Sequence, residues 1–125
     1  MASLRFVSLK LTMEATMQLS QLNTKLPFRG ELLTLNAEVC YPDGCIVLGA
    51  TDSEGFPYMN ISINTEVPPC KLTVDQGFLI VKDYSENQGI EDAMRSEGIL
   101  GEPDRKCAVG YAICSVYIIN LPKGE

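Results

Sequence analysis

The clearest hydrophobic and polar alternation in the chain lies between residues 31 and 50. Residues 31–41 (ELLTLNAEVCY) alternate apolar and polar side chains, which predicts a β-strand with one buried face. The next residues, Pro42-Asp43-Gly44, are each favoured in turns, for different steric and hydrogen-bonding reasons. The apolar run at 45–50 then returns the chain, so the pattern predicts a β-hairpin over residues 31–50.

Further strands are predicted on both sides of this hairpin. Residues 4–13 alternate, whereas residues 13–22 fit a helix loosely. Residues 58–65 (YMNISINT) alternate as in an antiparallel sheet with one solvated face, and residues 77–82 (GFLIVK) are almost continuously apolar. Residues 107–121 are predicted to form the last and longest strand, whose bulky residues of one parity are Val109, Tyr111, Ile113, Tyr117, Ile119 and Leu121.

One segment, residues 83–98, has the spacing of a helix. Ile90, Ala93 and Met94 recur at helical intervals, and Gly98 is a typical residue for ending a helix. Ser85 or Asn87 is predicted to cap its N-terminus. Acidic residues in the first turn would suit the positive end of the helix dipole.

This order of elements predicts an α+β fold: a mostly antiparallel β-sheet with one short helix packed on one face. A chain of 125 residues has the length of one domain, and 46% hydrophobic residues is a globular composition. Residues 1–30 are predicted to form an N-terminal extension containing a strand or helix. Residues 31–125 are predicted to form the single α+β domain.

The formal net charge of −6 changes which partners are expected. Phosphate backbones and anionic membrane surfaces should be repelled, so we expect no direct binding to nucleic acid and no membrane association. A protein with a basic surface is the favoured partner, because opposite potentials accelerate encounter.

The five cysteines predict a reducing, cytoplasmic setting. Their odd number and the absence of a CxxC motif argue against a complete disulfide framework. A disulfide between Cys40 and Cys45, which flank the predicted hairpin turn, remains an alternative. The N-terminus lacks signal-peptide features, and no apolar stretch is long enough to span a membrane.

The sequence predicts no enzyme, cofactor or metal site. It contains no histidine, which excludes the serine–histidine and cysteine–histidine nucleophile systems. It also lacks the glycine-rich loops that bind phosphates. A carboxylate pair remains an alternative, although Asp43, Asp52 and Glu54 all fall in predicted turns. Residues 83–89 (DYSENQG) resemble a calcium loop only superficially, because the spacing of oxygen ligands is wrong.

The segment KDYSENQG at residues 82–89 is the most distinctive candidate for recognition. It places an aromatic side chain among acids and amides just before the predicted helix, a composition that suits contact with a basic or amide-rich partner. The alternative is an ordinary connection between a strand and a helix. The predicted partner-binding residues are Asp83, Tyr84, Ser85, Glu86, Asn87, Glu91 and Asp92.

The strings at residues 41–48 (YPDGCIVL), 55–63 (GFPYMNISI) and 81–90 (VKDYSENQGI) resemble an uncharacterised family of small bacterial proteins. Members of that family are carried on conjugative elements, plasmids and phages. The motif K-D-Y-S-E-N-x-G is the specific part of the resemblance, which covers roughly residues 31–121. The resemblance implies a genomic context and no activity.

The leading hypothesis is a non-enzymatic binding protein of a mobile element, acting as an anti-defence inhibitor of the anti-CRISPR kind by direct protein binding. One alternative is a homo-oligomeric accessory protein of conjugation or replication, in which the edge of the strand predicted at 107–121 pairs with a second copy. Another alternative is a binder of a small molecule such as a nucleotide signal.

Overall fold

A computed structural model describes residues 17–40, 43–65 and 68–122 of the chain. The strand predicted at 4–13 lies outside these described residues. The strands are β1 (Lys25–Phe28), β2 (Glu31–Cys40), β3 (Cys45–Thr51), β4 (Pro57–Asn60), β5 (Gln76–Ile80), β6 (Arg105–Val109) and β7 (Ala112–Asn120), the α-helix is α1 (Ile90–Ser96), and 3-10 turns span Leu19–Leu22 and Ser85–Asn87.

The predicted fold class is confirmed. The strands form a single sheet in the order β1-β2-β3-β5-β7-β6, with β4 also paired to β3. All strand pairs are antiparallel except β3 with β5, which run parallel where Cys45 lies beside Phe78. The helix α1 covers one face, where Ile90 and Met94 are fully buried.

The predicted hairpin over residues 31–50 is also confirmed. β2 and β3 pair antiparallel from Thr34 with Thr51 to Cys40 with Cys45. Both cysteines are free thiols, so the alternative disulfide is not present. After the turn, the Gly44 carbonyl accepts a hydrogen bond of 2.8 Å from the Phe78 amide. A side chain at Gly77 would meet that carbonyl oxygen at 2.6 Å, so this close approach of β3 and β5 requires glycine.

The prediction of one long strand over residues 107–121 is wrong. Two strands, β6 and β7, form a hairpin there, with Val109 opposite Ala112 and only Gly110 and Tyr111 between them. Gly110 has a φ of +61°, the conformation that tight two-residue hairpin turns require and that glycine adopts at no steric cost. The turn places Tyr111 and Ile113 at the surface, although their parity predicted a shared face with buried residues.

Two other predicted elements are shorter than expected. The helix predicted at 83–98 is α1 alone, preceded by the 3-10 turn, because Gly89 adopts a left-handed φ of +95° that interrupts helical geometry. The strand predicted at 58–65 is β4, followed only by an isolated bridge between Ser62 and Val81. The strand predicted at 77–82 is confirmed as β5.

Both faces of the sheet carry a hydrophobic core. In β5, Leu79 belongs to the core under α1, whereas its neighbours Phe78 and Ile80 belong to the core on the opposite face. Residues of the loop between β4 and β5, including Ile63 and Leu72, pack against that second core. A strand that is buried on both faces has a nearly continuous run of apolar residues in its sequence, which explains the pattern of residues 77–82.

Residues 17–30, which lie before the predicted boundary at 30/31, share this sheet and core. The boundary itself falls in the turn between β1 and β2. Leu22 of the first 3-10 turn and Leu26 of β1 have no exposed surface and pack in the core under α1. No helix within residues 17–40, 43–65 and 68–122 is long and apolar enough to cross a membrane.

Candidate protein-binding site

Residues 82–92, called the acidic segment below, join β5 to α1 and contain all seven predicted partner-binding residues. Asp83 is the residue that organises the segment. Its Oδ1 accepts a hydrogen bond of 2.8 Å from the Gly89 amide, and its Oδ2 accepts one of 2.9 Å from the Glu91 amide. These amides belong to the first turn of α1, where helical partners are missing. The prediction that Ser85 or Asn87 caps the helix is therefore wrong, because Asp83 performs that role from further upstream.

Arg29 holds the outer side of the acidic segment. From the turn between β1 and β2, its guanidinium donates hydrogen bonds of 2.9 Å to the Glu86 carbonyl and 2.7 Å to the Gln88 carbonyl. The same guanidinium lies 4.6 Å from the centroid of the Phe28 ring. Arg29 was not predicted as a site residue, because 57 positions separate it from Glu86 and no local pattern connects them.

Asn87 is part of the support beneath the surface. Its side chain is fully buried, and its Nδ2 donates a hydrogen bond of 2.6 Å to the Asn60 carbonyl in β4. Its Oδ1 has no hydrogen-bond partner among the described residues. A buried amide that fixes one strand to the loop contributes to the shape of the segment, and it offers no accessible atom to a partner.

Glu91 likewise makes an internal contact. The hydroxyl of Tyr117, in β7, donates a short hydrogen bond to Glu91 Oε2. Tyr117 is fully buried, and this burial, together with the hydrogen bond to Glu91, raises the pKa of its phenol above the ordinary value of 10.0. The phenol therefore stays protonated and remains a donor to Glu91 throughout the physiological pH range.

The exposed residues of the acidic segment are Ser85, Glu86, Gln88 and Asp92, and Tyr84 beside them is half-buried. Lys82 Nζ lies 2.9 Å from Glu86 Oε2, and its hydrogen bond, together with weaker ones from the loop backbone and Ser85, lowers the pKa of that carboxyl to about 2. Lys82 Nζ also lies 5.6 Å from the centroid of the Tyr84 ring. The surface thus presents an aromatic ring beside exposed carboxyl side chains.

The negative charge of the protein is concentrated around this surface. Residues 82–104 contain seven carboxylates and two cations, which is −5 of the total formal charge of −6. One of these cations, Arg95, pairs with Glu102 at 3.2 Å. The rest of the chain is nearly neutral, so the acidity that the composition shows is local to α1 and its flanking loops.

The cysteines, carboxylates and clefts outside the acidic segment have the following arrangement in the described residues. No group of three or more cysteine, aspartate or glutamate side chains there could hold a metal ion. Burial raises the pKa of the thiols of Cys45, Cys70 and Cys114, which disfavours reactive thiolates. Open clefts of about 360 Å³ beside β4 and about 390 Å³ before β5 contain no residue of the acidic segment.

The sequence matches no model of a known protein family, and no curated protein or solved structure shows significant similarity to the chain. The resemblance of the KDYSENQG motif to a family of mobile-element proteins therefore remains a prediction from the sequence.

Proposed function

We propose that this chain is a non-enzymatic binding protein that uses the acidic segment and the adjoining surface of α1 to contact a basic region of another protein. The observation that carries the proposal is the placement of −5 formal charges within residues 82–104. A local field of one sign steers a partner of opposite sign and orients it on approach.

The architecture of the acidic segment supports the same proposal. Asp83 fixes the start of α1, Arg29 holds two carbonyls of the loop, and Asn87 fixes the loop to β4. These contacts leave Glu86 and Asp92 exposed on a pre-shaped backbone. Pre-organisation reduces the conformational entropy lost on binding, and so increases the affinity obtained from a small surface.

We further propose that the partner is a bacterial defence complex, such as a CRISPR effector or a restriction enzyme, and that the chain inhibits it in the cytoplasm. The support is the family resemblance of residues 31–121, which implies a mobile element. Such defence complexes bind nucleic acid and therefore carry basic surfaces that an acidic protein can cover. Free thiols at all five cysteines suit a reducing compartment.

A charge-reversal pair tests the site. Asp92→Lys alters an exposed carboxylate on α1, and Glu54→Lys alters an exposed carboxylate in the turn between β3 and β4. Both raise the net charge by two, so they separate the local field from the overall charge. We expect Asp92→Lys to weaken binding to a captured effector at least tenfold, without making the affinity more sensitive to salt. Glu54→Lys should leave the affinity within twofold of the wild type.

The biological part is tested by expressing the chain in hosts that carry individual defence systems and measuring the plating efficiency of targeted phage. Protection by the wild type and by Glu54→Lys, with loss in Asp92→Lys, would support inhibition through the acidic segment. Absence of protection across the defence systems, with no effector retained by the immobilised chain, would contradict the inhibitor proposal.

A further inference from the structure

The two ends of the sheet differ in whether they can accept another strand. β1 forms one edge, and its Pro27 has no amide hydrogen to donate. β6 forms the other edge and contains no proline, and no other described strand pairs with its outer side. Arg105 and Lys106 place charges on this edge, but they remove no backbone donor, so its unpaired amides and carbonyls can still receive a further strand.

The hydrogen bonds of β7 determine which groups of β6 point outward. Ser115 accepts a hydrogen bond of 3.1 Å from Val81, on the β5 side of the strand. Because backbone groups alternate in direction along a strand, those of Cys114 and Val116 face β6, where they pair with Cys107 and Arg105. The 2.7 Å bond from the Asp104 amide to the Val116 carbonyl agrees with this direction.

The outward-facing residues of β6 are consequently Lys106 and Ala108. Both are exposed, and their amides and carbonyls form no hydrogen bond with a described residue outside the β6–β7 ladder. Together they present two donors and two acceptors, symmetrically placed about Cys107. A second strand of the same sequence, running antiparallel, presents the same groups in the same order.

We propose that β6 pairs antiparallel with β6 of a second copy of this chain, about a two-fold axis at Cys107. In this register Lys106 lies opposite Ala108 of the second copy, and all four outward groups on each strand form hydrogen bonds. The two Cys107 residues face each other as a pair that shares no hydrogen bonds. This interface lies at the far edge of the sheet and is independent of the acidic segment.

The charges on β6 select this register over its neighbours. A shift of the second strand by two residues in one direction places Lys106 opposite Lys106 of the second copy. Like charges directly opposite each other are destabilising. Moving it by two residues the other way leaves a single hydrogen-bonded pair, Ala108 with Ala108. In the proposed register, Arg105 and Lys106 lie opposite the uncharged Val109 and Ala108.

Analytical ultracentrifugation of the full chain under reducing conditions tests the pairing. We expect a monomer–dimer equilibrium for the wild type, and a monomer at every concentration for Ala108→Pro, which removes an outward amide from the edge. Proline is tolerated at such edge positions because the lost amide serves no bond within the fold. The matched variant Ala108→Thr keeps the amide and should dimerise as the wild type does.

Oxidative cross-linking with copper phenanthroline tests the register separately. Cα atoms in a directly opposed pair without hydrogen bonds are about 4.5 Å apart, which is within the range that a disulfide spans. Cys40 is the exposed cysteine and would dominate random collisions, so the experiment uses a Cys40→Ser background. We expect a covalent dimer that disappears when Cys107→Ser is added.

A wild-type chain that sediments as a monomer at hundreds of micromolar would overturn the proposal. A dimer that Ala108→Pro leaves intact while the variant remains folded by circular dichroism would also overturn it. If Ala108→Pro does not fold, the cross-linking experiment is the test. A Cys40→Ser chain that forms no covalent dimer would overturn the pairing through Cys107.

Discussion

The acidic segment and the hairpin of β6 and β7 are connected to the rest of the molecule in different ways. The acidic segment is held by hydrogen bonds to distant parts of the chain. The Arg29 side chain donates to the Glu86 carbonyl across 57 residues, and the Asn87 side chain donates to the Asn60 carbonyl across 27. The hairpin is held by strand pairing and by packing of Val109 and Ala112 against the second core, whereas Tyr111 and Ile113 are fully or largely exposed at its tip.

This difference separates two requirements of a binding protein. A surface that recognises a folded partner benefits from a fixed shape, which cross-chain hydrogen bonds provide. A strand edge needs only free backbone groups in an extended conformation, and strand geometry itself supplies them. Substitutions that remove the internal hydrogen bonds of the acidic segment should therefore lower the free energy of unfolding, whereas substitutions at the hairpin tip should leave it nearly unchanged.

The largest effect is expected for Asp83→Ala. The change removes both hydrogen bonds from the carboxylate to the Gly89 and Glu91 amides and leaves the first turn of α1 without a cap. We expect the free energy of unfolding to fall by about 3 kcal/mol, as for the loss of a cap with two charge-assisted bonds. Chemical denaturation monitored by circular dichroism measures this loss.

Asp92→Ala is the matched control for Asp83→Ala. It removes an exposed carboxylate from the same helix turn, one that forms no hydrogen bond with another described residue, and it should cost at most about 0.5 kcal/mol from the helix dipole. Equal losses in the two variants would show that Asp83 acts through its charge and not as a cap.

Tyr117→Phe should have the next largest effect. It removes the donor to Glu91 from a buried position, and we expect a loss of about 2 kcal/mol at pH 7, typical of a hydrogen bond to a charged group. Denaturation melts of the wild type and the variant at one pH measure it.

The same variant predicts a change in alkaline stability. The folded state raises the pKa of Tyr117 above its ordinary value of 10.0, so above that pH the unfolded chain loses the proton while the folded chain keeps it. The wild type should therefore lose about 1.4 kcal/mol per pH unit through this group as the pH rises above 10. The stability difference between wild type and Tyr117→Phe should remain through pH 9 and shrink above pH 10. A constant difference up to pH 11 would contradict the raised pKa.

Arg29→Met should act mainly on the loop of the acidic segment. The variant keeps most of the aliphatic stem and loses both hydrogen bonds to the Glu86 and Gln88 carbonyls. We expect a global cost of about 1 kcal/mol and faster hydrogen exchange of the loop amides, measured by NMR. Lys25→Met, at an exposed position of β1, serves as the control and should change neither quantity.

Ile113→Thr should have almost no effect on stability. The side chain of Ile113 is 69% exposed, so the substitution should change the free energy of unfolding by less than about 0.5 kcal/mol. Ile119→Thr, on the same face of the same strand but fully buried, should cost about 2 kcal/mol or more. Similar losses at the two positions would mean that the hairpin tip is covered in solution.

The comparison also explains which features could be predicted from the sequence. The hairpin of β2 and β3 and the α+β class follow from alternation over ten residues and from a turn with three favourable residues, which are local signals. The break between β6 and β7 was missed because apolar residues continue through the turn. Gly110 alone marked it, and a single glycine inside a strand pattern is equally typical of a bulge.

The sequence singles out the acidic segment as a candidate site, but it does not reveal the internal contacts of its residues. Asp83 and Glu91 were predicted as contact residues, and the structure engages both carboxylates internally. Composition identifies a cluster of acids, whereas the partners of each acid are set by strand order. Tyr117 reaches Glu91 only because β7 lies beside β5 in the sheet, and no pattern in the sequence specifies that neighbour.

The smallest effect on stability at neutral pH is expected for Lys82→Ala, within the acidic segment, where the substitution acts mainly on the pKa of Glu86. The hydrogen bond from Lys82 is the largest of several contacts that together lower the pKa of Glu86 from 4.5 to about 2, so its loss should move that pKa part of the way back toward 4.5. NMR titration of the Glu86 side-chain carbon measures the change directly.

Because the folded state depresses the pKa of Glu86, the wild type should lose the associated stability as the pH falls from 4.5 toward 2, and Lys82→Ala should lose less stability over that window. Glu86 is exposed and Lys82 is half-buried at the surface, so 0.5 M salt should weaken the effect in the wild type. A pKa of Glu86 that stays near 2 in Lys82→Ala would show that the loop backbone stabilises the carboxylate without the lysine. The charged form of Glu86 would then depend on the rigid loop conformation that distinguishes this region from the hairpin.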